Sequence, residues 1–275
     1  MSTENFIYDM HTHIFPQKIA EKAVSSIGGF YGLSMSRGGF SEDLIASGAR
    51  VGVDKYLVCS TATTPLQVTA INSFVAGEVK KHLEFIGFGT MHPGFENIGD
   101  EVDRIVDIGL VGIKLHPDFQ KFAIDDAEAY PIYEAAEGRL PILFHTGDKR
   151  YSYSNPERIL KILKDFPNLT CICAHLGGYS EWDKVAALKG YLGNPNIYFD
   201  TSSSIRFLDP KTSVDIIRAH GVEHVFWGTD YPMEQHTVER DNLMALELTD
   251  KEKQMIFRDN AVKFIGDIER RLKKN

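Results

Sequence analysis

A single-domain (β/α)8 TIM-type barrel over residues 1–275 is the architecture that this sequence predicts. Three observations point there. Short apolar runs recur along the chain, each of strand length and rich in β-branched or aromatic residues. Helix-like segments separate them, and that alternation implies parallel strands. Histidines and one aspartate fall at the C-terminal ends of the runs, the face on which such barrels build active sites.

The runs are FIYDMH (6–11), KYLVCS (55–60), FIGFGTMH (85–92), LVGIKLH (110–116), LPILFHT (140–146), LTCICAH (169–175), NIYFDT (196–201) and HVFWGTD (224–230). Eight strand–helix units in a chain of 275 residues is the arithmetic of the barrel. Between the runs, residues 65–83 carry apolar residues at helical spacing. Residues 125–139 open on acidic residues and close near a glycine. Residues 155–168 offer Asn155 as a cap, Pro156 at the first helical position and Pro167 as a stop. Residues 209–221 repeat the pattern with Asp209, Pro210 and Gly221, and two further helices follow the eighth run. A doubly wound open sheet is the competing fold. It usually shows a glycine-rich phosphate turn after its first strand, whereas here that strand runs into His11-Thr12-His13. The first connection, residues 14–43, is rich in Gly and Ser and reads as a long loop: either a lid or a plain surface excursion.

Composition narrows the function. With 43% hydrophobic and 25% charged residues, the chain has an ordinary globular balance. A net charge of -8 argues against nucleic acid, whose phosphates need a clustered cationic surface. It leaves room for a small anionic substrate met by one or two local cations. Cys59, Cys171 and Cys173 are too few for a disulfide framework, so a reducing cytoplasm is expected. The N-terminus lacks the pattern of a signal peptide, and no run approaches a membrane span.

His11, His13, His92, His116, His145 and His175 all end predicted strands, and Asp230 ends the last. Residues i and i+2 of a strand share a face, so His11 and His13 point the same way. Two such imidazoles, with His145 and Asp230 added, make a ligand set suited to Zn, Mn, Fe or Ni. A lone His-x-His is more often a pair of hydrogen-bonded core or cap histidines than a metal site; the ordered set is what gives the signal weight. Lys114 and His116 also share a strand face. Lys114 would pair with a barrel carboxylate such as Asp9 or Asp230, reach a substrate carboxylate, or, if neutral, form a carbamate that bridges two metals.

The motifs DMHTHIF, GIKLHP, LFHTG, CAHLGG, WGTDYP and IFRDNAVKFIG run from residue 9 to 266. In this combination the chain resembles the amidohydrolase superfamily, in the amidohydrolase-related branch that includes aminocarboxymuconate-semialdehyde decarboxylase and the resorcylate-type decarboxylases. The resemblance implies a distorted barrel of the metallo-dependent hydrolase type. It implies a divalent metal, with zinc the expected ion, at or near His11, His13, His145 and Asp230, and His175 acting beside it. One ion is expected, or two if Lys114 is carboxylated, with His116 as a further candidate. Many decarboxylase relatives carry longer insertions and their substrate-specific motifs are not evident here, so the first reading is a hydrolase. It would cleave a C–N or C–O acyl bond of a small molecule, such as an amide, cyclic amide or lactone, through a metal-activated water. Asp230 would move the proton, and His175 would hold the water or the developing oxyanion. A decarboxylase of an aromatic or enoic acid is the alternative. Arg37, Arg150 and Arg206 could fork onto a substrate carboxylate, and Phe119 and Tyr231 could line the pocket. Barrels of this kind often self-associate, although no interface signature is legible.

Overall fold

A computed structural model describes residues 6–33, 35 and 38–273. Nine parallel strand segments form the sheet: β1 (Ile7–His13), β2 (Val53–Cys59), β3 (Phe85–Gly87), β4 (Gly89–Thr90), β5 (Ile113–Leu115), β6 (Ile142–Phe144), β7 (Cys171–Cys173), β8 (Ile197–Asp200) and β9 (Val225–Phe226). Their pairing orders are β1-β2-β3 and β4-β5-β6-β7-β8-β9. The two groups are one closed barrel. β3 and β4 are halves of a single stave broken at Phe88, whose N–H turns back to the Val58 carbonyl at 3.0 Å. On the other side β9 meets β1, where Met10 N–H donates to Trp227 O (2.9 Å) and Asp230 N–H to His11 O (2.8 Å). The eight predicted runs are thus the eight staves.

Alternation along the staves builds two layers. Leu57, Phe88, Leu143, Ile172 and Phe226 face inward and meet Phe264, Ile265 and Ile268 of the helix Asn260–Leu272. That helix buries its apolar face against the barrel interior, and burying each large side chain is worth about 1.5–3 kcal/mol. Ile113, Leu115, Ile142, Phe144, Ile197 and Phe199 face outward to the surrounding helices. Lys114 lies between Ile113 and Leu115 in register and so points inward.

Several helices lie where the sequence places them. Pro65–Gln67 and Val68–Lys81 fill the expected segment. Asp209 caps Pro210–His220 by accepting the Thr212 N–H. Pro156–Asp165 starts on its proline, but Asn155 gives its side chain to Glu181 rather than to the helix end. Over 125–139 the α-helix is short, Tyr130–Ala136, entered through a 3-10 turn. The first connection departs from expectation: it holds the helix Ala20–Tyr31, although the segment reads as a loop. Gly28 is a packing residue there, since a Cβ on it would stand 2.7 Å from the Leu33 carbonyl oxygen.

His220 makes a stability prediction. Gly193 N–H donates to its Nδ1 at 3.3 Å, so the ring proton sits on Nε2 and donates to Ile197 O at 3.0 Å. The ring stacks on Phe199 at 3.7 Å. Burial, then the nearby His224, lowers its pKa from 6.5 to about 3. Between those values the unfolded chain takes up a proton that the fold refuses, so stability is full above 6.5 and falls with pH, by about 1.4 kcal/mol per unit. Replacing His220 with Gln is expected to narrow the wild-type loss between pH 7 and pH 5 by about 2 kcal/mol, read by urea unfolding at each pH.

Candidate metal centre

β1 delivers two imidazoles to one point. His11 and His13 stand 5.1 Å apart by ring centroid, and both approach the same Asp230 oxygen. His13 Nε2 lies 3.1 Å from Asp230 Oδ1, and His11 Nε2 lies 3.6 Å from it. Ligand atoms of His11, His13 and Asp230 all fall within 4.8 Å of one another. The proton positions suit a ligand. His11 Nδ1 faces Asp200 Oδ2 at 2.9 Å, and an ionised carboxylate only accepts, so Nδ1 carries the hydrogen. Nε2 then presents a lone pair toward Asp230, the arrangement in which a carboxylate orients a metal-binding histidine. Burial, followed by the Lys114 ammonium, holds His11 well below its ordinary pKa and keeps it neutral.

Asp230 follows β9 in a left-handed backbone conformation, φ 57°, and its N–H is held by His11 O. Burial alone would raise its pKa. The hydrogen bond from His13 and the rings of His11 and His175 outweigh that and hold it well below the carboxylate range. Ser203 Oγ donates to its other oxygen at 2.9 Å. His13 is opposed by burial, but the Cys59 sulfur and Asp230 push it up to about 9. Lys114 does not take Asp9 as its partner. Its Nζ lies 3.1 Å from His11 Nε2, and burial lowers its pKa. Asp9 instead accepts from Thr229 and stands 3.1 Å from His236 Nε2.

His145 stands off from this cluster. Its Nδ1 lies 3.1 Å from His175 Nε2, and its Nε2 turns to Asp118 Oδ2 at 3.7 Å. His175, also left-handed at φ 62°, stacks on His11 with 5.3 Å between centroids. His116 stacks on His145 at 4.0 Å and on Phe119 at 3.7 Å, and bonds the Tyr31 hydroxyl at 3.0 Å. Burial lowers the pKa of both His116 and His145 well below 6.5, and raises that of Asp118 to about 7. The loops that carry these residues approach closely: a Cβ on Gly147 would lie 2.6 Å from the Gly178 carbonyl carbon. His92 serves its own turn, accepting the Gly94 N–H.

The cleft above is walled by Tyr31, Tyr179 and Phe207, with His145, His175, Ser203 and Asp230 at its floor. An inner cavity of about 40 Å³ holds only a few waters, and an outer one of about 380 Å³ adjoins it across the same three aromatic residues. Arg206 reaches the inner cavity but pairs with Glu234. Arg150 grips Asp148 through two nitrogens and lies over the Phe30 ring at 4.7 Å. Phe119 packs between His116 and Phe30, behind the wall. Tyr231 is buried against His236. Arg37 lies outside the described residues. Tyr31, Asp118 and Asp200 were not singled out by sequence reasoning. Asp200 ends a strand, as the chosen residues do, and that signal could have found it.

The molecule is thus a closed, single-chain (β/α)8 barrel with strand-end imidazoles and carboxylates gathered at one mouth. It belongs to the amidohydrolase family: a family model so described matches residues 8–266. Among curated proteins, none matches this chain in sequence. Solved structures share its fold. One is 5-carboxyvanillate decarboxylase from Sphingomonas paucimobilis, with TM-score 0.70 and 16% identity over 94% of this chain and 98% of that one. A TIM-barrel protein from Bordetella bronchiseptica gives TM-score 0.78 and 18% identity, over 96% and 99%. A dihydroxybenzoic acid decarboxylase from a Polaromonas species, with bound manganese and the inhibitor 2-nitroresorcinol, gives 0.74 and 15%, over 95% and 97%. Among the described residues no helix is long and apolar enough to cross a membrane.

Proposed function

We propose that this chain is a metal-dependent decarboxylase of a small aromatic or enoic acid. The observation that carries the reading is the lining of the cleft: Tyr31, Tyr179 and Phe207, in edge-to-face contact with one another, stand over His145, His175 and Asp230. Once those rings part they offer aromatic faces to a planar acid whose carboxylate meets the floor, and two of the decarboxylases named above act on, or bind, flat aromatic molecules. The hydrolysis expected first from the motifs would draw on the same donors, but it gives the aromatic walls no particular task.

His11 Nε2, His13 and Asp230 Oδ1 would hold the ion, with Asp200 fixing the His11 tautomer. A divalent ion there would neutralise and polarise the oxygens of a bound acid. Imidazole and carboxylate donors suit zinc and manganese alike, and zinc is retained as the expected ion. Loss of carbon dioxide from an acid anion breaks one C–C bond and forms one C–H bond, so one proton must reach the carbon. Asp230 is ionised and faces the cleft, placed to take a proton from the substrate or solvent and return it at that carbon. His175 supports the floor beside it. Tyr31, Tyr179 and Phe207 exclude water, and the small inner cavity means that Tyr31 or its neighbours must shift to admit a ring.

The test is product analysis over a panel of hydroxybenzoic and enoic acids. Carbon dioxide in a 1:1 ratio with acid consumed is expected, with no oxygen from labelled water in the organic product. An acid formed together with an amine or alcohol, carrying one labelled oxygen, would establish hydrolysis instead.

A further inference from the structure

Asp9 is a wholly buried acid just ahead of His11 in β1, and the proton transfer does not use it. Its carboxylate joins the two ends of the barrel sheet. Oδ1 accepts the His11 N–H and the Thr229 N–H, each at 3.1 Å. Oδ2 accepts the Thr229 hydroxyl at 2.5 Å and stands 3.1 Å from His236 Nε2. The Thr229 hydroxyl in turn accepts the Tyr231 N–H at 3.2 Å. One side chain thus ties β1 to the residues on either side of Asp230, 220 positions away at Thr229.

The tied segment needs such a hold. β9 ends at Phe226, and Asp230 takes φ 57°, a conformation that residues other than glycine keep only where their surroundings fix it. Backbone bonds fix part of it: Asp230 N–H donates to His11 O at 2.8 Å, and His13 N–H to Tyr231 O at 2.7 Å. Thr229 is wholly buried, and Asp9 is the acceptor of its N–H. Gly228 lies so close to β1 that a Cβ there would stand 3.0 Å from the His11 Cβ. With no side chain between the two segments, a shift at Thr229 passes directly to Asp230. On the other side, β1 is irregular against β2 between Asp9 and Thr12, and Asp9 takes the His11 N–H within that irregularity.

We propose that Asp9 is the positioning residue of the metal centre. By accepting from His11 and Thr229 together, it sets the spacing of His11 and Asp230. It also keeps Asp230 in the left-handed conformation that turns its carboxylate to His13. The inference rests on the ion being held by His11, His13 and Asp230, and it does not depend on the decarboxylase reading. An amide at position 9 keeps only one acceptor oxygen. A buried donor of Thr229 or His11 would then lose its partner, and residues 229–231 would move to find another.

The test uses cobalt as the probe, in Asp9→Asn, Thr229→Val and Thr229→Ser. Valine removes the hydroxyl bond to Asp9 and keeps the branched shape, whereas serine keeps the hydroxyl. Asp9→Asn and Thr229→Val are expected to bind cobalt about 10–100-fold more weakly than the wild type, the range for groups that orient metal ligands. Their visible absorption band should shift as well, while Thr229→Ser keeps the wild-type affinity and band. If Asp9→Asn does not fold, Thr229→Val carries the expectation alone. Wild-type affinity and band in folded Asp9→Asn would overturn the proposal. So would a loss in Thr229→Ser equal to that in Thr229→Val. If the wild type takes up no cobalt, the assignment of the ion fails, and metal-free crystals of Asp9→Asn decide the role of Asp9. A displaced Asp230 carboxylate there supports it, and an unmoved one overturns it.

Discussion

Asp230→Asn is expected to lower kcat by about a thousandfold, within the range for loss of a positioned acid–base group. The amide keeps the shape of the side chain but cannot take up a proton at neutral pH. The effect should fall on kcat more than on KM, because the aromatic walls that bind the substrate are untouched. The native carboxylate accepts from both His13 and Ser203, and the amide can still accept from one of them, so the local fold should survive. Rates, circular dichroism and metal content measured on the same preparation separate the outcomes. Wild-type turnover with the ion retained would show that Asp230 does not move the proton.

The second large effect is His11→Ala, which should reduce turnover to background, a loss on the order of a thousandfold or more, the range reported for essential positioned groups. His11 joins four parts of the site: the Asp200 carboxylate, the Lys114 ammonium, the His175 ring and the Asp230 carboxylate. Its removal takes away a donor and leaves Lys114 buried with its nearest partner gone. The charge of Lys114 would then be compensated by Asp230, drawing the carboxylate out of position. Added zinc or manganese should not restore the activity of this variant, whereas it should restore wild-type enzyme stripped by a chelator. Rescue of His11→Ala by excess metal would mean that the ion is held elsewhere.

The staves were legible because each is a short β-branched or aromatic run, and even the stave interrupted at Phe88 reads as a single run. The helix Ala20–Tyr31 was not. Ser25, Ser26, Gly28 and Gly29 are weak helix formers, and the helix stands because packing favours it over local preference. In the site, the strand-end rule correctly marked His11, His13, His116, His145, His175 and Asp230 as residues of one mouth. It could not say which way each ring turns. His145 was expected with His11 and His13, but its two nitrogens are directed to His175 and Asp118, a matter of side-chain rotation that spacing does not encode. Arg150 read as a substrate fork because only its charge was weighed. Asp148, two residues earlier, takes that charge in the fold. Tyr31 escaped notice because the helix that presents it did.

The central claim is that one ion is held by residues far apart in the chain, and anomalous diffraction at the manganese or zinc edge tests it most directly. Crystals of metal-loaded protein should show a peak about 2.0–2.2 Å from an imidazole nitrogen of His11, from one of His13 and from a carboxylate oxygen of Asp230. A loaded crystal with no peak among those three side chains would contradict the account.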